Sequence, residues 1–302
     1  MCRQNYGLIQ KKGEMPMIKL NDVSYTYMKG GPFEKKALDS VNLEIDKGEF
    51  IGLIGHTGSG KSTLIQLLNG LLKPDCGEVF IDGVNIWDKS VKLKDIRFKV
   101  GLVMQYPEYQ LFEETVYKDI AFGPKNMKLS DREIEDRVEY AASLAGVSSE
   151  LLNKSPFDLS GGQKRRAAIA GVIAMQPKVL ILDEPTAGLD PAGREEILYK
   201  ISDMHKMLKL TVILVSHSMD DVARFANRIL VMNSGRVEMF DSPSRVFAKA
   251  EQLTKMGLAV PHTTVICEKL RQLGMPVKSG IHTVEEAAYN ISQILLGGDG
   301  VC

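Results

Sequence analysis

The sequence predicts an α/β fold with a mainly parallel core sheet, an antiparallel β subdomain beside it, a helical subdomain and a small helical C-terminal extension. Three observations carry that reading. Compact apolar runs at 50–54, 100–104, 179–182 and 212–215 have the length and continuity of strands covered on both faces, as in a parallel sheet. The first of them enters the glycine loop Gly55-His56-Thr57-Gly58-Ser59-Gly60-Lys61-Ser62, after which apolar residues fall at helical spacing over 62–72. Ahead of that loop, residues 18–27 and 37–45 alternate roughly at period two, the pattern of antiparallel strands.

In chain order, residues 1–16 read as a disordered leader, with Met15 and Met17 as candidate start positions. Residues 17–241 read as the main domain, with a helical insert at about 106–172. Within that insert Ser130 and Glu133 make a capping box, and Ile134, Val138, Ala141 and Ala145 lie on one face up to Gly146. A second helix over 164–175 follows Leu159-Ser160-Gly161-Gly162-Gln163. Beyond Gly235 the composition turns helical. Pro243 suits a first helical position, and Pro261 starts a segment that stops near Gly274. A last helix starts at a Thr283/Glu286 capping box, and Val284, Ala287, Ala288, Ile291, Ile294 and Leu295 form its apolar stripe at period 3.6. These last helices make up the extension, 242–302.

The 302 residues are enough for one large domain or two modest ones. Their 38 basic and 38 acidic side chains cancel, which removes the global field that would favour a nucleic-acid partner. Cys2, Cys76, Cys267 and Cys302 have no paired metal-ligand spacing and read as reduced thiols in a cytoplasm. No run approaches the ~18 apolar residues of a membrane span, and residues before Lys11 and Lys12 lack a signal-peptide core.

The loop Gly55-x4-Gly60-Lys61-Ser62 places glycines where the backbone must curl tightly, so that successive N–H groups converge on phosphate oxygens at a helix start. Lys61 supplies charge to the β and γ phosphates, and the Ser62 hydroxyl is a natural Mg²⁺ ligand. At 179–182 the apolar run ends in Asp183-Glu184, one acid for the Mg²⁺ water shell and one to orient attacking water. The run at 212–215 leads to Ser216-His217, an imidazole for the γ-phosphate or its water. The amide of Gln105 closes the run at 100–104 and is suited to touch the metal. Ser160, with Gly161, Gly162 and Gln163, reads either as an ordinary N-cap and turn or as a second anion site at a bare helix N-terminus. One phosphate loop with a second anion-binding helix start invites pairing across a dimer.

Taken in order, the phosphate loop, Gln105, Leu159 to Gln163, Asp183-Glu184, Ala187-Gly188-Leu189-Asp190 and His217 resemble the nucleotide-binding subunits of ATP-binding cassette (ABC) transporters, a P-loop NTPase fold. The likeness spans about 18–241. It implies ATP as substrate and two cassettes sandwiching two ATPs, each signature facing the other subunit's phosphate loop. The nucleotide contacts it implies are Tyr27 on adenine, Gly55 through Ser62 with Thr63, Ser160, Gly161, Gly162, Gln163 and Asp190. The metal set is Ser62, Gln105 and Asp183, and the catalytic set is Glu184, His217 and Gln105. Tyr25 competes with Tyr27 for adenine, and spacing does not separate the two.

Gln105 to Phe112, Leu159 through Gly171, Asp190-Pro191-Ala192-Gly193-Arg194 and His217 to Val222 are most similar to the ATPases of energy-coupling-factor (ECF) importers, and the phosphate loop to the second of their two ATPase types. That likeness implies a heterodimer with a related ATPase, a transmembrane coupling subunit, exchangeable membrane subunits that bind the cargo, and a place on the cytoplasmic face of the cell membrane. It gives the extension a dimerisation role and makes Pro107, Leu111 and Phe112 part of a groove for coupling helices. A cobalt or nickel importer ATPase acting as a homodimer, a soluble ABC ATPase on ribosomes or DNA, and a P-loop kinase or GTPase are the competing readings.

Overall fold

The computed structural model of the chain describes residues 15–296. Nearly all of the expected leader 1–16, and with it Cys2, lies outside the described residues, as does Cys302. The chain begins with strands β1 (Ile18–Tyr27) and β2 (Lys35–Ile45), paired antiparallel from Ile18 opposite Ile45 to Tyr27 opposite Lys35. Then come β3 (Phe50–Ile54), helix α1 (Lys61–Leu68), β4 (Cys76–Ile81) and β5 (Val84–Asn85). Next are α2 (Leu93–Lys99), β6 (Val100–Val103), α3 (Val116–Asn126), α4 (Asp131–Ala145), α5 (Ser149–Leu152) and α6 (Gly161–Ile173). The second half runs β7 (Val179–Asp183), α7 (Pro191–Leu208), β8 (Thr211–Val215), α8 (Met219–Phe225), β9 (Arg228–Asn233) and β10 (Arg236–Asp241). Helices α9 (Pro243–Phe247), α10 (Ala250–Lys255), α11 (His262–Gln272) and α12 (Val284–Leu296) follow.

Two sheets result. One is antiparallel, in the order β2-β1-β4-β5; the other runs β10-β9-β3-β8-β7-β6 and is parallel except for the β9–β10 pair. The apolar runs are explained by burial on both faces. In β7, Val179 and Ile181 enter the core shared with the antiparallel sheet and α1, while Leu180 and Leu182 enter the core shared with α3, α4, α6 and α7. In β8, Ile213 and Val215 face the first core, Val212 and Leu214 the second. A strand whose two faces are both dry shows no polar alternation, hence the continuous hydrophobicity. Gly52 of β3 meets a closely packed neighbour, because a Cβ there would lie 2.3 Å from Val222 Cγ1 of α8.

Several expectations are corrected. The helix after the phosphate loop ends at Leu68, not at 72: Gly70 takes a left-handed φ of 68° and Leu71 turns outward. The helix expected over 164–175 begins at Gly161, with Ser160 as its N-cap. The chain after Gly235 forms β10 before it turns helical. Two hairpins were not foreseen. The turns Asp82-Gly83 and Ser234-Gly235 join β4 to β5 and β9 to β10, each with positive φ at both residues, the geometry that matches strand twist in a tight hairpin. The Ser130/Glu133 box is complete, whereas only half of the Thr283/Glu286 box forms. Glu286 N–H donates to Thr283 Oγ1, but its carboxylate accepts from His282 N–H. The stripe of α12 is divided: Ala287, Ile291 and Ile294 pack with α11 in a small separate core, while Val284, Ala288 and Leu295 face outward.

Asp82 ties the two sheets together. Its carboxylate accepts from Lys47, just before β3, at 2.9 Å and from Lys178, just before β7, at 2.6 Å, and the two ammonium groups hold its pKa down at about 2. A depressed folded-state pKa stabilises above the unfolded value of about 4, and the gain disappears as pH falls through about 2. With the solvent screening of two half-exposed lysine partners, Asp82→Asn is expected to cost about 0.5–1 kcal/mol at pH 7. The gap between variant and parent in urea titrations should close between about pH 4 and pH 2.

Candidate active site

The phosphate loop leaves β3 and ends in α1, so it sits at the carboxyl end of a central parallel strand. Two of its glycines are required by contact. A Cβ on Gly55 would lie 2.4 Å from Ser59 Oγ and 2.5 Å from Met232 O; on Gly60, at φ 105°, it would lie 2.7 Å from Ala37 O. The loop therefore folds back on β2 and β9, and the first N–H groups of α1 have no helical carbonyl to bond. Lys61 is buried. Its Nζ donates to Gly55 O at 2.6 Å and His56 O at 3.2 Å, which lays the ammonium along the inside of the loop. Burial lowers its pKa, opposed by the charges of Glu184 and Asp183. His56 is held by Asn233 at the end of β9, through Nε2 at 3.1 Å, a partner that no sequence pattern suggested.

Three neighbouring strands bring the remaining groups to the same edge. Gln105 follows β6, Glu184 follows β7 and His217 follows β8, and these strands are adjacent in the sheet. Their side chains meet on one carboxylate. Gln105 Nε2 donates to Glu184 Oε2 at 3.3 Å, and His217 Nε2 lies 2.9 Å from Glu184 Oε1. Glu184 itself has a φ of 49°, a left-handed conformation that costs roughly 1 kcal/mol or more in a residue other than glycine. It persists because its N–H bonds Val215 O and its carbonyl accepts from Ala187 N–H. Asp183 is more enclosed: desolvation and the neighbouring Glu184 charge push its pKa up, with Lys61 and His217 pulling the other way.

Asp183, the Ser62 hydroxyl and the Gln105 amide make an all-oxygen donor set once Gln105 Nε2 is committed to Glu184. Among the described residues no cluster of three or more His, Cys, Asp or Glu could hold a metal by itself. The set fits Mg²⁺, which keeps water and substrate phosphates as most of its ligands.

The tyrosines separate. Tyr25 packs partly into the core, whereas Tyr27 reaches α1, its hydroxyl 3.2 Å from Thr63 Oγ1 and its ring edge-on to Tyr25 at 4.9 Å. Ser160 caps α6 in a reciprocal box with Gln163. The side chain that Gly161 lacks would meet open space. Leu159 is buried, Ser160 and Gly161 are exposed, Gly162 and Gln163 are half-buried, and the Ser160 and Gln163 side chains accept from each other's backbone N–H rather than reaching the phosphate loop of their own chain. Asp190 likewise turns to its own helix, accepting from Gly193 N–H at 2.7 Å as the N-cap of α7. Pro107 is buried and Leu111 half-buried, while Phe112 opens onto a groove of about 520 Å³ lined also by Leu71, Phe98, Phe122 and Met175.

A phosphate loop, a strand-end acid pair and a signature at the exposed N-terminus of an otherwise packed helix define an ATPase of the ABC type. The model of the ABC transporter family matches residues 38–187. The energy-coupling factor transporter ATP-binding protein EcfA2 of Clostridium acetobutylicum is 59% identical over 279 residues, 92% of this chain and 98% of the relative. Its counterpart in Caldanaerobacter subterraneus subsp. tengcongensis is 57% identical over 284 residues, 94% and 99% of the two chains. Among solved structures, cbiO1 from Clostridium perfringens, part of the ABC transporter complex cbiONQ, superposes with a TM-score of 0.72 at 40% identity, covering 86% of this chain and 99% of that one. A dimeric ATP-binding cassette in a post-hydrolysis state with ADP and Pi gives 0.66 at 34% identity, covering 75% and 98%. This chain belongs to the ATP-binding proteins of the energy-coupling-factor transporters, within the ABC transporter family.

Proposed function

We propose that this chain is the ATP-hydrolysing subunit of an energy-coupling-factor importer, held at the cytoplasmic face of the cell membrane and powering uptake of vitamins or other micronutrients. The observation that carries the reading is the Glu184 carboxylate, gripped by Gln105 and His217 beside the phosphate loop. In this reading Lys61 and the loop from Gly55 to Thr63 hold the phosphates, Tyr27 stacks on adenine, and Ser62, Gln105 and Asp183 hold Mg²⁺. Bound there, the metal would neutralise phosphate charge. Glu184 orients the attacking water and takes its proton, and His217 steadies the carboxylate and the γ-phosphate.

Ser160, Gly161, Gly162 and Gln163 serve the partner's ATP. The exposure of Ser160 and Gly161, the open space beside Gly161 and the dimeric cassette among the structural relatives support that assignment. Asp190 lies on the same interface. Residues 17–241 constitute the cassette and 242–302 a dimerisation extension, whose outward Val284 and Leu295 are apolar surface suited to a second ATPase. The partners are a related ATPase in a heterodimer, a transmembrane coupling subunit whose helices enter the groove beside Phe112, and an exchangeable membrane subunit that captures cargo. Among the described residues no helix is long and apolar enough to cross a membrane.

Affinity purification of the tagged full-length chain from detergent-solubilised native membranes tests the reading. Mass spectrometry is expected to find a second ATPase and an integral membrane protein in near-equal amounts. Recovery of the chain alone, entirely from the soluble fraction, would overturn it.

A further inference from the structure

Arg165 has more buried polar contacts than any role given to it so far would require. Its side chain is 3% exposed, and its counterion is Glu108 at 16%. From a third segment, α6, the guanidinium faces two others at once. Nε and Nη2 donate to the Glu108 carboxylate, with the shortest contact at 2.8 Å, while Nη1 donates to Pro185 O at 3.1 Å and Ala187 O at 2.7 Å. Glu108 is three residues beyond Gln105. Pro185 is the residue after Glu184, and Arg165 lies on α6 five residues beyond Ser160.

We propose that Arg165 is a positioning residue, a buried clamp that sets the Glu184 turn against the Gln105 segment and ties both to the helix that presents Ser160 to the partner's nucleotide. The inference rests on the reading of Glu184 as the group that orients water. Replacing a buried ion pair by apolar groups is often neutral for stability, so stability alone is a weak reason for this arrangement. What it provides is geometry. A planar guanidinium offers donors in fixed directions, which an ammonium does not. Here those directions reach a carboxylate on one side and two carbonyls on the other. The two carbonyls belong to the residues one and three positions after Glu184, whose backbone is in the left-handed region, a conformation that persists only when its surroundings over-determine it. Gln105 and Glu184 meet at 3.3 Å, a long contact that a small shift of either segment would break. Any movement of α6 on dimer closure is carried by the same guanidinium into that contact.

The test uses the full-length chain in its purified transporter complex. Steady-state hydrolysis, binding of a fluorescent ATP analogue and thermal midpoints are measured for Arg165→Lys, Arg165→Gln, Glu108→Gln and Glu184→Gln. Arg165→Gln is expected to lower kcat at least 30-fold while KM and analogue affinity stay within about 3-fold. Arg165→Lys should recover only part of that loss. Glu108→Gln keeps the shape of the side chain and leaves the carbonyl contacts in place, so it should lower kcat about 5- to 10-fold. Adding it to Arg165→Gln should lower kcat no further. Affinity, kcat and thermal midpoint falling together would mark Arg165 as merely structural and overturn the clamp. If Arg165→Gln does not fold, Glu108→Gln decides: unchanged kcat overturns the proposal. An inactive Glu184→Gln beside a fully active Arg165→Gln removes the clamp alone, whereas an active Glu184→Gln removes the reading of Glu184 on which it rests.

Discussion

Glu184→Gln is expected to bind ATP with near-parental affinity and to hydrolyse it about 10²- to 10⁴-fold more slowly, the range associated with loss of a general base. The amide preserves the length and planarity of the side chain, so the contact from Gln105 can persist. A neutral amide cannot take the proton of an attacking water, and His217 then faces no charge. Because binding survives while turnover does not, ATP-loaded dimers should accumulate and be visible by size-exclusion chromatography with multi-angle light scattering. Single-turnover hydrolysis within threefold of the parent would remove Glu184 from its proposed role.

Lys61→Ala acts one step earlier, on binding. In the structure the ammonium holds the loop's own carbonyls at Gly55 and His56, so it is already inside the curl when phosphates arrive. Charge-assisted hydrogen bonds to phosphate are worth about 1.5–3 kcal/mol each. Loss of this one should weaken ATP by about 10- to 150-fold, read by isothermal titration with a non-hydrolysable analogue. Hydrolysis at ordinary ATP concentrations would fall with it. Lys61→Arg keeps the charge but has a bulkier head in a buried site, so it should restore only part of the affinity. An Ala variant that binds within twofold of the parent would show that the backbone N–H groups alone hold the phosphates.

Much of this site was legible in the primary structure because parallel strands with two dry faces read as uninterrupted apolar runs. The residues at their carboxyl ends, Gln105, Asp183, Glu184 and His217, were therefore easy to find. The glycines of the phosphate loop stand out for a related reason: backbone packs where a Cβ would need to be. Strands β4, β5, β9 and β10 were missed. Half or more of the residues of β4 and β10 face water or are only partly covered, so alternation is weak, although Asp82-Gly83 and Ser234-Gly235 are turn signals of the kind that make such hairpins. Strand β9 carries a buried apolar run, Ile229 to Met232, of the same kind as those that were found. Arg165 was quoted within a motif and assigned nothing. A buried arginine reads like an exposed one until the groups around it are known.

The sequence alone determined the nucleotide chemistry, the order of strands and turns that carries it, and the family. These are local properties, set by short runs and by residue types at short spacing. Tertiary structure alone decided that Tyr27 rather than Tyr25 reaches the helix of the phosphate loop, and that Gln105 and His217 grip one carboxylate. It also decided that the stripe of α12 is half packed and half free, and that Arg165 joins three segments. Each of these depends on which distant residues share a volume, and that is fixed by sheet order and side-chain packing rather than by neighbours along the chain.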